Sequence, residues 1–298
     1  MIDLDLNSLN SFLGYGDFRN AEILVLSKHE GADNDYLEQE LDARINHFGL
    51  EKEYWLDGEN RLNGYWHSST KEADKIKRGL MEKEEIKSNS VPAVVDYPTR
   101  MLFALEEAFN KNTDKYIDKW FEGANDISKD IKDKLTASYD DIYSYHQITS
   151  WKAVLSHYQP LLRAAQSWPY TESPRSDYKK VFERTVHPEN AHFAAWRKQR
   201  EGILANLLKR YPKKVIFCTG NFQANNESDP LQNFFEREFQ AELKDFGFNG
   251  KLKGVYGEFS YNGQKTIVVH THGLSGGGGL TPKQVCKITK VIYRKLKE

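Results

Sequence analysis

The sequence predicts an α/β fold: a three-layer sandwich with a central, mainly parallel sheet of about four strands, together with a helical insertion. Three short apolar segments, at 21–26, 215–218 and 265–269, have the composition of buried strands. Segments with helical spacing of apolar residues alternate with them, which is typical of a parallel sheet covered by helices. Each of the three strands also runs directly into a polar turn.

The segment between the first two of these strands is predicted to be mainly helical. The spacing of its apolar residues indicates helices at 36–48, 70–87, 101–121, 127–135 and 148–162. Segment 91–95 is either a short strand or a loop, because Pro92 and Pro98 interrupt the pattern. We expect 1–298 to form one domain, in which residues at about 50–160 are the helical insertion.

The remaining helices lie in the C-terminal half, at 193–210, 234–246 and 281–296. The first of them shows a basic face formed by Arg197, Lys198 and Arg200. In the last, Thr281 is expected to be the N-cap and Pro282 the first helical residue, and the apolar residues form one stripe.

Composition excludes several classes of protein. The chain has 298 residues, of which 39% are hydrophobic and 29% charged, as in ordinary globular proteins. No apolar run approaches the ~18 residues of a membrane helix, and the N-terminus lacks the features of a signal peptide. Its two cysteines, Cys218 and Cys286, cannot form a disulfide framework. We therefore expect a cytoplasmic protein that does not enter a membrane.

Charge is distributed unevenly along the chain. The net charge of −1 argues against a protein that binds nucleic acid through its overall charge. Residues 33–60 nevertheless carry nine acids against two bases, and residues 281–298 carry six bases against one acid. Either both segments are solvated faces, or the basic C-terminal helix faces an anion and the acidic segment faces away.

Three polar loops are expected to meet. A parallel sheet places the carboxyl ends of its strands at one edge, so that the loops after them converge there. The three strands lead into "SKHEGADN", "TGNFQANN" and "HTHGLSGGGG". We therefore expect a common pocket lined by His29, Glu30, Asn221, His270 and His272.

The glycine-rich loop has the strongest pattern. His270 and His272 share a face if the strand continues that far. Glycines at 276–279 allow close approach of the backbone to a ligand, and the following helix offers free N–H groups to a phosphate. Lys283 and Lys287 add positive charge. The alternative is a flexible linker with exposed histidines.

The first loop, Ser27 to Gly31, also has two interpretations. It is either a surface turn in which Glu30 helps to start a helix, or a site where His29 or Glu30 positions a water molecule or carries a proton. Lys28 is either a phosphate contact or a solvated side chain.

The order of these loops resembles that of the uracil-DNA glycosylase superfamily. "GYGDFRNAEILVLSKHEGAD" is similar to the family's first strand and its water-positioning motif. "TIVVHTHGLSGG" is similar to its late strand and histidine loop, and "PKKVIFCTGN" to a strand between them. Ser27, His29 and Glu30 stand where the family usually has Gly, Asp or Asn, and Pro.

The resemblance implies roles for named residues. Glu30 or His29 would position the water, with the Glu30 carboxylate stabilising an oxocarbenium-like sugar. His272, with His270 as its rival, would donate a hydrogen bond to the departing base. The other residues implied to bind the base are Asn221, Trp168 and Tyr170, of which the two aromatics alternatively pack in the core. The residues implied to hold the DNA backbone are Lys28, Ser275, Gly276, Gly277 and Lys283.

The expected function is therefore that of a monofunctional DNA glycosylase, which flips a damaged or modified base out of DNA and leaves an abasic site. Modified bases of phage DNA, and hence a role in defence, are one extension. DNA is the expected partner, and we expect a monomer without cofactor or metal. Two alternatives stay open: a metal-dependent hydrolase that uses His29, His270 and His272, and a non-catalytic nucleic-acid binder of the same fold.

Overall fold

The central element of the fold is a mixed sheet of six strands with the order β3-β1-β5-β8-β7-β6. The computed structural model describes residues 18–28, 31–32, 93–122, 128–131, 133–134, 149–159, 163–164, 191–220, 230–248, 254–271, 273 and 280–298. The six strands are β1 Ile23–Ser27, β3 Ala153–His157, β5 Val215–Thr219, β6 Glu242–Asp245, β7 Gly254–Tyr261 and β8 Gln264–Thr271. A separate two-residue ladder joins β2, Gly31–Ala32, to β4, Arg163–Ala164.

Four of the six strands are parallel neighbours. Strand β1 pairs with β3 on one side and with β5 on the other, and β5 pairs with β8. Strands β7 and β6 extend the sheet as antiparallel neighbours. The predicted α/β class with a mainly parallel sheet is confirmed, but the predicted count of about four strands is wrong, because the sheet has six.

Helices cover both faces of the sheet. Helices α1, Ala93–Asn110, and α4, Pro282–Lys297, pack together through Phe109 and Tyr293, whose ring centroids are 4.9 Å apart. Their residues line one apolar cavity with Ile23 and Val25 of β1. Side chains alternate between the two faces of a strand, so this is the face of the odd-numbered β1 residues.

The opposite face is covered by α2, Ala191–Arg210, and α3, Pro230–Phe239. Phe239 of α3 stacks on Phe259 of β7 with ring centroids 4.5 Å apart. Tyr158, which directly follows β3, donates a hydrogen bond to Glu201 of α2. In the described part of the chain, the sheet therefore lies between two pairs of helices, and its apolar strands form the core.

Helix α4 begins as the sequence predicts. Thr281 is the N-cap, Pro282 is the first helical residue, and Thr281 and Gln284 form a reciprocal capping box. The basic residues of α4 lie close to acidic residues of this chain: Lys290 Nζ is 2.7 Å from Asp118, and Arg294 Nη2 is 2.8 Å from Asp114. Part of the helix's charge is therefore matched by acids at the protein surface. The acidic segment at 33–60 lies outside the described residues, so both interpretations of the charge distribution stay open.

Two predicted helices are wrong in part or in whole. Residues 153–157, inside the helix predicted at 148–162, form β3. The helix predicted at 234–246 ends at Phe239, where Gln240 adopts a positive φ of 55° and the chain turns into β6. In both places, pairing with a neighbouring strand outweighs the local helical spacing of apolar residues.

The interval predicted as an insertion contributes to the core. Both α1 and β3 lie within 50–160, and the residues of β3 are all buried. Segment 93–95 is helical, rather than a strand or loop. The helix predicted at 101–121 starts earlier and ends at Asn110, with two 3-10 helices after it, Asp114–Tyr116 and Asp118–Phe121. The helices predicted at 36–48 and 70–87 lie outside the described residues.

The environment of the cysteines leads to a first testable prediction. Burial, together with a 3.3 Å hydrogen bond to Asp118, raises the pKa of the Cys286 thiol to about 12, and Cys218 is fully buried. Because the thiolate is the reactive form, neither cysteine should react with iodoacetamide at pH 8 in the native protein. Mass spectrometry should show both labelled after unfolding in urea. Rapid labelling of Cys286 in the folded protein would contradict this.

Candidate active site at the carboxyl edge of the parallel strands

The four parallel strands end in a row of polar residues. Ser27 lies in register with His157 on one side and with Thr219 on the other, and Thr219 lies in register with Thr271. Residues in register share a face of the sheet, and neighbouring strands are about 4.8 Å apart. We call these four residues the edge row. It lies on the face that α1 and α4 cover.

A buried side-chain hydrogen bond joins two members of the edge row. The Ser27 hydroxyl and Nδ1 of His157 are hydrogen-bonded, and both residues are only 4% exposed. A serine beside a histidine is also the arrangement of a nucleophile and its base. Here, however, Ser27 is buried in β1, so we assign this hydrogen bond a structural role: it holds the ends of β1 and β3 together.

The chain on both sides of His29 and Glu30 is anchored to neighbouring segments. Before them, the Lys28 amide donates to Thr219 O over 2.8 Å, and Lys28 O accepts from the Gln159 amide over 2.8 Å. After them, Gly31 pairs with Arg163. His29 and Glu30 themselves lie outside the described residues. Two residues therefore separate the hydrogen bonds of Lys28 to the main sheet from the pairing of Gly31 with β4.

Gly220 lies in close contact with the turn after β1. A methyl group built at Gly220 would lie 2.5 Å from Cβ of Lys28, closer than real Cβ contacts come. The Gly220 amide donates to Thr271 O over 3.1 Å, which ties β5 to β8 at the same edge. Lys28 is only 8% exposed. It is therefore a buried part of the edge, which corrects its predicted place as a solvated side chain and does not favour a surface contact with a DNA backbone.

A polar network of α2 supports the end of β3. Arg200 is fully buried, and its Nη2 donates to the carbonyl oxygen of His157 over 2.5 Å. Glu201 accepts from Tyr158 and forms an ion pair with Arg237 at 2.8 Å. The predicted basic face of this helix is wrong at Arg200, whose guanidinium points into the protein.

His270 does not join the edge row. It lies in register with Cys218, on the face opposite to Ser27 and Thr271, and it is 2% exposed. His270 is therefore positioned as a core residue between the sheet and α2 or α3. It is not positioned to contact a base that lies beside the edge row.

The residues that flank the glycine-rich segment are joined by a hydrogen bond: the Leu280 amide donates to Gly273 O over 3.2 Å. Residues 274–279 lie outside the described part of the chain. At the start of α4, Pro282 has no N–H, and Thr281 accepts from the Gln284 amide. Of these first-turn amides, only that of Lys283 is left for an anion, so the prediction of several free N–H groups is wrong.

Several predicted site residues lie outside the part of the chain that the structure describes: His29, Glu30, Trp168, Tyr170, Asn221, His272, Ser275, Gly276 and Gly277. Their predicted roles stay predictions. Lys283 is described and exposed at the first turn of α4.

Sequence reasoning did not identify His157, Arg200 or Glu201 as site residues. One signal was available for His157, because "AVLSH" is an apolar run that ends in a polar residue, as the other three parallel strands do. No local signal marks Arg200, because its burial depends on a contact with a residue 43 positions away.

Comparison of the chain with protein-family models, with curated proteins and with solved structures finds no match. Within the described ranges, no group of three or more His, Cys, Asp or Glu side chains is placed to hold a metal ion. None of the helices described is both long and apolar enough to cross a bilayer. The fold and the edge row therefore define an α/β protein with a candidate site at its carboxyl edge.

Proposed function

We propose that the protein is a DNA glycosylase that extrudes a damaged or modified base and hydrolyses its N-glycosidic bond. The observation that carries the proposal is the placement of Ser27 and Thr271. They end β1 and β8 at the same level of the sheet, with only β5 between them. Two strand spacings are about 10 Å. The strands that lead to Glu30 and to His272 therefore end two strand spacings apart, on either side of β5, and this separation is comparable to the size of one base with its sugar.

The proposed chemistry divides between these two segments. A water molecule held by Glu30 or His29 adds to the anomeric carbon as the bond between carbon and base nitrogen breaks. The Glu30 carboxylate stabilises the positive charge that develops on the sugar, and His272 donates a hydrogen bond to the departing base. The proton lost by the water ends on the base, so no cofactor or redox partner is required.

The anchors around the first segment support this assignment. A catalytic group contributes most when its position is set before the substrate arrives. Lys28 and Gly31 both pair with neighbouring segments, and the Ser27–His157 hydrogen bond is at the residue directly before Lys28.

The test is base release from defined DNA. Purified protein would be incubated with uracil-, hypoxanthine- and modified-cytosine-containing DNA and with phage DNA that carries modified pyrimidines, and abasic sites would be detected by alkaline cleavage. Glu30→Gln should lower the rate by about 10²- to 10⁴-fold, which is the usual contribution of general acid–base catalysis. His272→Ala should also lower it. Glu236→Gln, at an exposed position of α3, is the matched control and should leave the rate unchanged.

Each alternative function gives a different result. Activity that disappears with a chelator would indicate the metal-dependent hydrolase. DNA binding without base release, unchanged in Glu30→Gln and His29→Ala, would indicate the non-catalytic binder. A wild-type protein that leaves all of these DNAs free of abasic sites overturns the glycosylase proposal.

A further inference from the structure

We propose that the β6–β7 hairpin and the start of α4 form a binding surface for the DNA strand that flanks the reaction site. The surface consists of three aromatic residues and three lysines, which we call the aromatic patch: Phe246, Phe248, Tyr256, Lys244, Lys283 and Lys287. None of the proposed catalytic residues belongs to it. The inference rests on the proposed function for the class of ligand and for the position of the reacting base.

The aromatic rings of the patch contact one another. Phe246 and Phe248 are stacked, with ring centroids 5.2 Å apart and planes 8° apart. The Tyr256 ring is tilted by 38° to that of Phe246, with centroids 4.7 Å apart. Phe246 is buried, whereas Phe248 and Tyr256 are partly exposed. The stack therefore has an inner ring fixed in the protein and outer rings that reach solvent, as a platform for a base requires.

Gly254 makes room for these rings. A methyl group at this position would lie 3.3 Å from the side chains of both Phe246 and Phe248. The Phe246 amide donates to Gly254 O over 2.8 Å, which holds the chain after β6 against the start of β7. The rings are thus placed by backbone contacts as well as by their own packing.

The lysines surround the rings on the same face. Lys287 lies with Nζ 5.2 Å from the Phe248 ring centroid and 3.1 Å from Phe246 O. Lys244 is exposed and lies in register with Tyr256, so the two share a face. Lys283 is exposed one helical turn before Lys287.

Two acids of the hairpin, Glu242 and Glu258, lie on the same face as the patch, two residues beyond Lys244 and Tyr256. Glu258 is paired with Lys265 and Lys295. The acid next to Lys244 does not face the patch. Asp245 lies in register with Val255, on the opposite face of the hairpin from Lys244, and its carboxylate accepts from the Gly247 amide over 2.7 Å. Cations next to stacked aromatic rings are the combination that binds single-stranded nucleic acid, with the rings contacting bases and the lysines contacting phosphates.

The position of the patch fits a flanking strand. Gly254 lies in register with Thr271, so the patch begins at the level of the edge row. From β5, which lies midway between the strands that lead to Glu30 and to His272, to β7 there are two strand spacings, or about 10 Å. A stacked strand advances about 3.4 Å per nucleotide, so the patch would contact a nucleotide about three steps from the base of the proposed reaction.

The test measures binding of fluorescein-labelled dT12 and dT3 by fluorescence anisotropy. The patch variant Phe248→Ala/Lys283→Ala should weaken binding of dT12 by about tenfold or more. Its slope of log affinity against log salt should become shallower by about 0.7 per lysine removed. The matched control is Lys115→Ala/Tyr116→Ala, which also removes one exposed aromatic residue and one lysine. These two residues follow Asp114, which pairs with Arg294 in the last turn of α4, away from Lys283 in the first turn. It should bind as the wild type does.

The outcomes separate the inference from the proposed function. Equal weakening by both double variants, or none by the patch variant, overturns the inference. For dT3, which is too short to span from the edge row to the patch, the loss should be smaller than for dT12. If the patch variant does not fold by circular dichroism, Phe248→Leu keeps an apolar side chain, removes the ring and should still weaken dT12 binding. Patch-dependent binding by a protein that releases no base would overturn the glycosylase proposal alone.

Discussion

Gly220→Ala is expected to lower base release by about a hundredfold or more, because a displacement of about 1 Å at a reacting group has this effect. The added methyl group would lie 2.5 Å from Cβ of Lys28. The Cβ atom of Lys28 is bonded to the backbone and cannot rotate away from the added methyl group, so the backbone of the turn must move. Since Lys28 directly precedes His29 and Glu30, the displacement reaches the proposed catalytic pair.

The measurement would compare release rates at saturating DNA with the free energy of unfolding in urea. Crowding of this kind costs about 1–3 kcal/mol, so the variant should remain folded. Gly202→Ala is the matched control, because this glycine is exposed on α2 and a methyl group there meets nothing within 4 Å. It should stabilise the protein by about 0.5–1 kcal/mol and leave the rate unchanged. A fully active Gly220→Ala would show that the turn does not carry the chemistry.

His157→Leu is expected to loosen the same turn from the side of β3. Removal of the imidazole leaves the buried Ser27 hydroxyl without its hydrogen bond to Nδ1, which costs about 1–3 kcal/mol. His157→Asn places a hydrogen-bonding atom near the position of Nδ1 and should restore part of the loss. Arg200 contacts the backbone carbonyl of residue 157, so its hydrogen bond should survive in both variants.

Hydrogen exchange distinguishes a positioning role from a purely structural one. The amides of Lys28 and Gln159 are hydrogen-bonded at this edge. They should exchange faster in His157→Leu than in His157→Asn, and base release should fall in the same order. Equal exchange and equal rates in the two variants would show that the pair only adds stability.

The parts of the fold that the sequence predicts correctly are those with strong local signals. Strands β1, β5 and β8 are apolar runs that end in polar turns, and Thr281 and Pro282 mark the start of α4. Strands β6 and β7 are partly exposed and lack such a run. Strand β3 was missed because its apolar residues also fit a helix, and only its pairing with β1 decides between the two.

The candidate site was predictable to a similar extent. Parallel strands bring their carboxyl ends together, so the convergence of the loops after β1, β5 and β8 follows from their pattern. The hydrogen bond that fixes this edge joins residues 130 positions apart, and no local pattern predicts it. His270 lies on the face of the sheet opposite to the edge row. This depends on the exact register of β8, which apolar periodicity does not determine.

The ion pairs of α4 have a consequence for how the protein meets a polyanion. With Lys290 and Arg294 matched to Asp118 and Asp114, and with an overall charge of −1, neither this end of α4 nor the net charge would attract DNA over long distances. Electrostatic steering, which accelerates many DNA-binding proteins at low ionic strength, would therefore depend on the three exposed lysines of the aromatic patch. Removal of these lysines should make the association rate less sensitive to added salt.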